Sequence, residues 1–149
     1  MQSPLQLDTY LIDHIDISVN TGFDPESDMT ADVSLLPTHL TNTDRPEFHQ
    51  LVLDVRFGAP EGSPNSYPYS GKIVGRGIFH VDPQETTGED AVQLILVNGT
   101  AILLGLLRAH ISQITALGLH GQLLLPAMNI VQAWEDATAR TAETDESPE

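Results

Sequence analysis

The chain has 149 residues, enough for a single domain with one hydrophobic core. It carries 21 acidic and 6 basic residues, and the resulting net charge of -15 disfavours binding to nucleic acids or to anionic membranes. There is no cysteine, which excludes disulfides and thiolate metal ligands and suits a reducing cytoplasm. The excess of acidic residues is explained equally well by a role in attracting basic partners and by a contribution to solubility alone.

Alternating apolar and polar side chains predict that the chain begins with two β-strands. The first covers residues 5–19 and is interrupted at residues 11–13. Its apolar side chains share one parity and are expected on one buried face: Leu5, Leu7, Leu11, Ile15, Ile17 and Val19. After a polar loop at residues 21–30, a second short strand is predicted over residues 31–36, and Pro37 is expected to end it.

Two further strands follow before the pattern changes. Residues 48–57 alternate clearly, and a loop rich in glycine and proline separates them from a fourth strand over residues 70–81. Three glycines within the fourth strand predict a bulge or a close approach of another part of the chain: Gly71, Gly75 and Gly77.

The second half of the chain has the helical period. Residues 89–97 predict a short helix that Asn98-Gly99 interrupts, and Thr100 is expected to cap a longer helix that runs to Leu117. Because a small sheet covers only one side of so apolar a helix, a second copy of the chain is expected to cover the other side. Four residues in one stripe are expected in that oligomer interface: Leu103, Leu107, Ile111 and Ile114.

The same apolar segment raises the question of a membrane span. Five polar residues interrupt residues 91–117: Gln93, Asn98, Thr100, Arg108 and His110. The longest wholly apolar run, residues 101–104, is far shorter than the roughly 20 residues that span a bilayer. A buried helix is therefore expected, with no insertion into a membrane.

A final helix is predicted after the helix-breaking Pro126. It should cover residues 128–138, with Asn129 as its N-terminal cap. The acidic residues 135–149 are expected to form a disordered tail, which leaves residues 1–134 as the folded domain.

The sequence has no pattern that indicates catalysis or metal binding. Its 6 histidines lack metal-ligand spacing, and no nucleophile elbow, P-loop or dinucleotide fingerprint occurs. We therefore expect no catalytic residue, no metal and no cofactor, and a binding protein is favoured over an enzyme.

A series of short motifs in the second half of the chain indicates a protein family more specifically than the order of strands and helices does. It comprises an arginine within the apolar helix, a glycine that stops the helix, a Gln-Leu-Leu-Leu segment, a proline and an asparagine: Arg108, Gly118, residues 122–125, Pro126 and Asn129. In this order and spacing they resemble the SecB family of export chaperones. Gly77-Ile78-Phe79 resembles the end of that family's fourth strand, and Asp16-Ile17-Ser18 resembles its first strand. The resemblance covers residues 5–134.

The resemblance implies an α+β protomer that forms a dimer or tetramer. A four-stranded antiparallel sheet would pack with a long broken helix and a C-terminal helix. It also implies a holding chaperone that needs no ATP and binds unfolded client polypeptides, such as preproteins for export, in apolar grooves. By position, Val33, Leu35 and Trp134 would line such a groove, and Met128 and Ile130 are added from their place on the last helix. Each of the five could instead be an ordinary core residue.

The resemblance leaves the partner open. The SecB family docks on the SecA motor through acidic residues of its exposed sheet face, and Asp16 matches one of them. Asn20 and Lys72 stand where the family has glutamates, so SecA binding is expected to be weak. SecB-like proteins also serve as chaperones of antitoxins in toxin–antitoxin systems. The sequence does not separate a general export chaperone from a dedicated chaperone of one such client, and a cytoplasmic protein is expected in both cases.

Overall fold

A four-stranded sheet forms the first half of the protein. The computed structural model describes residues 3–86 and 88–146. The strands are β1 (Leu5–Val19), β2 (Asp32–Thr41), β3 (Phe48–Gly58) and β4 (Tyr69–Val81). They pair antiparallel in the order β1-β4-β3-β2, so β1 and β2 are the two edges of the sheet. With the helices that follow, this confirms the predicted α+β class.

Helices cover one face of this sheet, and the other face is called the open face below. The covering helix consists of α1 (Gly88–Leu94), a π-helical turn (Ile95–Gly99) and α2 (Thr100–Thr115). A connector, residues 116–129, leads to α3 (Ile130–Glu146). The core lies between α2 and the two central strands, where these side chains have no exposure: Leu51, Leu53, Val55, Ile73, Phe79, Leu103, Leu107 and Ile111.

The predicted break at Asn98-Gly99 does not occur. The helix is continuous from Gly88 to Thr115, and Thr100 is a fully buried residue inside it rather than a cap. Gly99 packs against the sheet, where an added Cβ would lie 3.0 Å from Cδ1 of Leu51. The glycine thus permits a close approach of helix and sheet, and the prediction of a turn at this residue was wrong.

The predicted close approaches at the glycines of β4 are confirmed. A Cβ added to Gly75 would overlap the side chain of Leu107, and one added to Gly71 would overlap the backbone carbonyl of Asp16. Because Leu107 has no exposed surface, its side chain has no free space into which to retreat.

β1 contains two bulges, which change the faces of its side chains. Its register with β4 skips Asp8 and Asp13, and the second bulge corresponds to the predicted interruption at residues 11–13. Each extra residue reverses the alternation of faces. Leu11 therefore lies opposite Arg76 on the open face and is 48% exposed, so its predicted place on the buried face was wrong.

β2 is longer than predicted. It continues through Pro37, which lies opposite Leu53, to Thr41. A proline is tolerated in an edge strand because its missing N–H can face the side that has no neighbouring strand. The prediction that Pro37 ends the strand was therefore wrong.

The polar flank of α2 holds the connector in place. Arg108 Nη2 donates to the carbonyl oxygen of Leu125 at 2.6 Å, and Oγ1 of Thr115 accepts from the backbone N–H of Leu123 at 2.8 Å. Asn129 caps α3 as predicted, because its Oδ1 accepts from the backbone N–H of Gln132 at 2.9 Å.

α3 continues beyond the predicted domain boundary. It remains helical to Glu146, whereas the sequence favoured a disordered tail from residue 135; residues 147–149 lie outside the described residues. Alanine and glutamate together account for six of residues 135–146, and their helix propensity favours the extension.

The described residues contain one helix, Gly88–Thr115, that is long and apolar enough to cross a membrane by length and composition alone. Core helices of soluble proteins meet the same criterion, so this is weak evidence of a span. Leu103, Leu107 and Ile111 of this helix pack against the sheet, as expected of a core helix.

Candidate functional site

An open groove of about 710 Å³ runs between the edge strand β2 and the segment formed by the connector and α3. We call it groove A. The side chains that give it an apolar floor come from all three elements: Ala31, Val33, Leu35, Pro126, Met128 and Ala133. Asp136 and Arg140 of α3 stand at its rim.

Groove A follows from the topology of the sheet. β2 pairs with β3 on one side only, so within the described residues no strand covers its outer edge. Val33 and Leu35 lie opposite Phe57 and Val55, on the covered face, which turns both side chains toward the connector and α3. Val33 is half-buried and Leu35 is 8% exposed.

A second recess of about 560 Å³ lies on the other flank of α3, between α3 and the π-helical turn. We call it recess B. Leu96 and Val97 of the turn face Val131 and Trp134 of α3 across it. Val97 is 39% and Val131 55% exposed, so much of this apolar surface is in contact with water.

Trp134 is held firmly at the edge of recess B. Its indole Nε1 donates to Oγ1 of the fully buried Thr100 at 3.1 Å, and its ring also packs against the core. Such a ring is an amphipathic anchor, because the polar N–H is satisfied inside the protein while apolar ring surface remains available.

The structure separates the five predicted client-binding residues. Val33, Leu35 and Met128 come together in groove A. Trp134 lies across α3 in recess B, and Ile130 is half-buried against the core and lines neither site. Ile130 and Trp134 are four residues apart on α3 and therefore lie on the same side of the helix. The sequence alone did not show that this side is turned away from groove A, because the first residue of α3 was not known.

Recess B also contains residues that the sequence interpretation missed. Val131, Leu96 and Val97 were passed over because apolar residues near a helix start or inside an apolar helix are usually part of the core. Only their exposure in the folded chain distinguishes them.

The predicted oligomer stripe lies mostly inside the protomer. Leu103, Leu107 and Ile111 are fully buried against the chain's own sheet, so a second copy would not contact them. The fourth residue, Ile114, is 47% exposed. Ile15 belongs to the edge strand β1, its side chain lies on the helix-covered face of the sheet, and it is 40% exposed.

The open face carries charges of both signs around Asp16. Asp16 is exposed and lies opposite Lys72 of β4, whose Nζ is 3.9 Å from Oδ2 of Asp54. Asn20 has a structural role, since its side-chain amide donates to the carbonyl oxygens of Pro64 and Tyr67 at 2.8 Å each.

The titratable groups with shifted pKa values lie away from groove A and recess B. His39 Nε2 and His49 Nδ1 are 2.9 Å apart, and burial lowers the pKa of both rings, with the charge on His49 lowering that of His39 further. Burial raises the pKa of Tyr10 and Tyr67. Among residues 3–86 and 88–146, no cluster of three or more potential ligands could hold a metal ion.

Comparisons with known proteins give a structural match rather than a sequence match. No family model matches the sequence, and no curated protein is significantly similar to it. The fold is similar to that of the Rv1957 SecB-like chaperone of Mycobacterium tuberculosis, solved in complex with a ChAD peptide from the Rv1956 HigA1 antitoxin. The TM-score is 0.65 and the identity 12%, over 84% of this chain and 91% of that one.

A second solved structure is more distant. A protein of unknown function from Streptococcus agalactiae aligns with a TM-score of 0.43 and 13% identity, over 83% of this chain and 97% of that one, and nothing further follows from it. The match to the SecB-like chaperone covers most of both chains. The chain therefore has the SecB-like fold.

Proposed function

We propose that this protein is a holding chaperone that binds unfolded polypeptide in groove A and catalyses no reaction. The observation that carries the proposal is an apolar groove that lies along the edge of β2, which no strand of the described residues covers. Binding of this kind needs no ATP, because clients associate and leave by mass action. A cytoplasmic protein with these properties would protect clients from aggregation.

The groove suits an extended chain of varied sequence. The outer edge of β2 offers backbone N–H and C=O groups that recognise any polypeptide, and the apolar floor accepts side chains without directional demands. Met128 adds a flexible side chain that adapts to different shapes. The net charge of -15 attracts basic stretches of a client and keeps copies of the chaperone apart.

A dedicated chaperone for one client is the second candidate. It is favoured by the fold match, because the Rv1957 SecB-like chaperone is in complex with a peptide from an antitoxin. Preprotein export through SecA has less support, since the mixed charges around Asp16, Lys72 and Asp54 do not form a uniformly acidic surface for a basic partner. Client breadth separates the candidates: a general holdase protects several unrelated denatured proteins, and a dedicated one protects its partner alone.

Groove A is tested with a matched pair of methionines. Met128→Asp places a charge on the floor of the groove and is expected to weaken client binding by about 1 to 3 kcal/mol. Met29→Asp makes the same change at a position that is 61% exposed in the polar loop, and it should leave binding unchanged. The measurement is fluorescence anisotropy of a labelled, permanently unfolded polypeptide, with aggregation of denatured proteins as a second assay.

The outcomes of this test are distinct. If the unaltered protein binds no unfolded polypeptide and prevents no aggregation, the chaperone function is wrong. If it binds but Met128→Asp and Met29→Asp behave alike, clients bind at another surface.

A further inference from the structure

A third recess, of about 360 Å³, lies beside α1, where the last residue of β4 approaches the first residues of β3. We call it recess C. Its volume is within the range of small-ligand pockets, and none of its residues lines groove A or recess B. The walls are mostly apolar and come from the loop before β3, the end of β4 and α1: Pro46, Val81, Pro83, Ala91 and Val92.

Hydrogen bonds of the backbone hold the walls of recess C together. The N–H of Val81 donates to the carbonyl oxygen of Glu47 at 3.0 Å, which joins the end of β4 to the loop before β3. The carbonyl oxygen of Asp82 accepts from the N–H of Thr86 at 3.1 Å, in the turn that leads to α1. Val81 and Ala91 are both buried in the core. The recess is therefore formed in advance, and a ligand loses little affinity in ordering it.

One nitrogen in the wall of recess C has no protein partner. His49 is 6% exposed and lies opposite Phe79 on the helix-covered face, so its ring is turned toward α1. Its Nδ1 is 2.9 Å from Nε2 of His39, whereas its own Nε2 makes no hydrogen bond within the described residues. Burial lowers the pKa of His49, so the ring is uncharged at neutral pH. A ligand in recess C that donates to this nitrogen would satisfy it.

The rim of recess C carries a carboxylate. Glu47 lines the recess, and its side chain is 36% exposed. Nε of Arg45 is 3.7 Å from Oε1 of Glu47, but a pair so exposed to solvent is weak and leaves the carboxylate available to a ligand. The net charge of -15 disfavours anions, whereas a cation is attracted to Glu47. The recess thus favours a ligand with an apolar body and a positively charged hydrogen-bond donor.

We propose that recess C binds a small primary amine with an apolar body, supplied as a free amine or as the N-terminal residue of a peptide. The body packs against Pro83 and Val92. The ammonium group donates to Nε2 of His49 and to the carboxylate of Glu47, and its three N–H groups suffice for both. His49 then has the tautomer whose Nδ1–H donates to His39. This site is separate from groove A, and the inference does not rest on the proposed chaperone function.

The test is an NMR titration of the isotope-labelled full-length chain with phenethylamine. The backbone amides around recess C should shift, with a Kd of about 1 mM for so small a ligand. Hydrocinnamate has the same ring and the opposite charge, and it should bind at least about tenfold more weakly. A tripeptide that begins with phenylalanine, compared with its N-acetylated form, tests the second source. If the free N-terminus binds more tightly than phenethylamine, the ligand is a peptide N-terminus; if the tripeptide does not bind, it is a free amine.

Variants of the protein locate the bound amine. Glu47→Gln keeps the shape of the side chain and removes its charge, and it should weaken binding of phenethylamine about tenfold. Glu85→Gln removes the same charge from an exposed residue of the nearby turn that does not line the recess, so it should leave binding unchanged. Val92→Phe fills the recess and should abolish binding, with circular dichroism as the check that the chain remains folded.

The outcomes decide the inference without reference to groove A. If phenethylamine shifts no amide around recess C, or hydrocinnamate binds equally well, the proposed site is wrong. If Glu47→Gln and Glu85→Gln weaken binding alike, the amine responds to the net charge of the protein and not to the recess. The chaperone function stands or falls separately, on the binding of unfolded polypeptide and on Met128→Asp.

Discussion

Trp134 contributes both to the stability of the folded chain and to its candidate binding surface. The hydrogen bond from its indole Nε1 to Thr100 fixes α3 on the first residue of α2, and the ring forms a wall of recess B. The sequence left two interpretations of this residue, core or client contact. In the fold it packs against the core and lines a recess, so a loss of client binding on its substitution would not by itself distinguish the two roles.

The pair formed by His39 and His49 is expected to make the free energy of unfolding depend on pH. The rings stack with centroids 5.2 Å apart, and Nε2 of His39 lies 2.9 Å from Nδ1 of His49. One nitrogen must donate and the other accept, so the contact does not survive protonation of both rings. Recess C, distinct from groove A and recess B, is lined by both His49 and Glu47, so Glu47 is a titratable neighbour of the pair.

We expect the free energy of unfolding to fall as the pH is lowered from about 6.5. Burial lowers the pKa of both histidines in the folded chain below their ordinary value of 6.5. The unfolded chain therefore binds more protons, so the stabilisation present above pH 6.5 is lost as the pH falls through the folded-state pKa values. His39→Gln should flatten this dependence in urea denaturation between pH 7.5 and 5, whereas the exposed His14→Gln should leave it unchanged. Equal slopes for all three proteins would contradict the role of the pair.

At the scale of elements, the packing of α2 on β4 depends on a small residue. Gly75 lies beneath Leu107, and the helix approaches the sheet so closely that a methyl group does not fit between them. A second glycine, Gly105, lies on the exposed side of the same helix, where an added Cβ would contact nothing within 4 Å. The two glycines thus have opposite consequences for stability.

Gly75→Ala is expected to destabilise the protein by about 1 to 3 kcal/mol, because the added methyl group overpacks the core. Gly105→Ala should stabilise it by about 0.5 to 1 kcal/mol, because alanine is the better helix former and has free space here. Chemical denaturation of both variants gives the two values. A neutral Gly75→Ala would mean that Leu107 can move, contrary to its complete burial.

At the scale of the whole molecule, the edge strand β1 is a candidate surface for contact with a second copy of the chain. Within the described residues no strand pairs with the outer side of β1. Ile15 exposes apolar surface on the helix-covered face of this edge, and Ile114 of α2 is 47% exposed. We propose that copies of the chain assemble along this edge, which would pair an open strand and cover apolar side chains. The fully buried residues of the predicted stripe remain within each protomer.

Light scattering of the purified protein is therefore expected to give a mass well above the 16.2 kDa of one chain. Ile15→Lys combined with Ile114→Lys should reduce it to a monomer that remains folded. Leu11→Lys, on the open face of the same strand, should not change the mass, and Leu107→Glu should unfold the chain because it buries an unpaired charge. A monomeric unaltered protein would contradict assembly at any surface.

The sequence by itself determined the α+β class, four strands followed by helices, the cap of the last helix and the resemblance to the SecB family. These features depend on local periodicity and on short motifs, which are properties of neighbouring residues. Three other features could be known only from the tertiary structure. They are the face of the sheet on which each side chain of β1 lies, the continuation of β2 through Pro37, and the continuity of the helix at Asn98-Gly99. A bulge, an edge position and a helix–sheet contact each depend on a partner that is distant in the sequence.

The same limit applies to the candidate binding surface. The sequence selected Val33, Leu35 and Met128, which do line groove A, but it also selected Ile130 and placed Leu103, Leu107 and Ile111 in an oligomer interface. An apolar residue in the core and one in a groove have the same side chain. Only the packing of α3 beside β2, and of α2 on the sheet, decided which of them remained open to water.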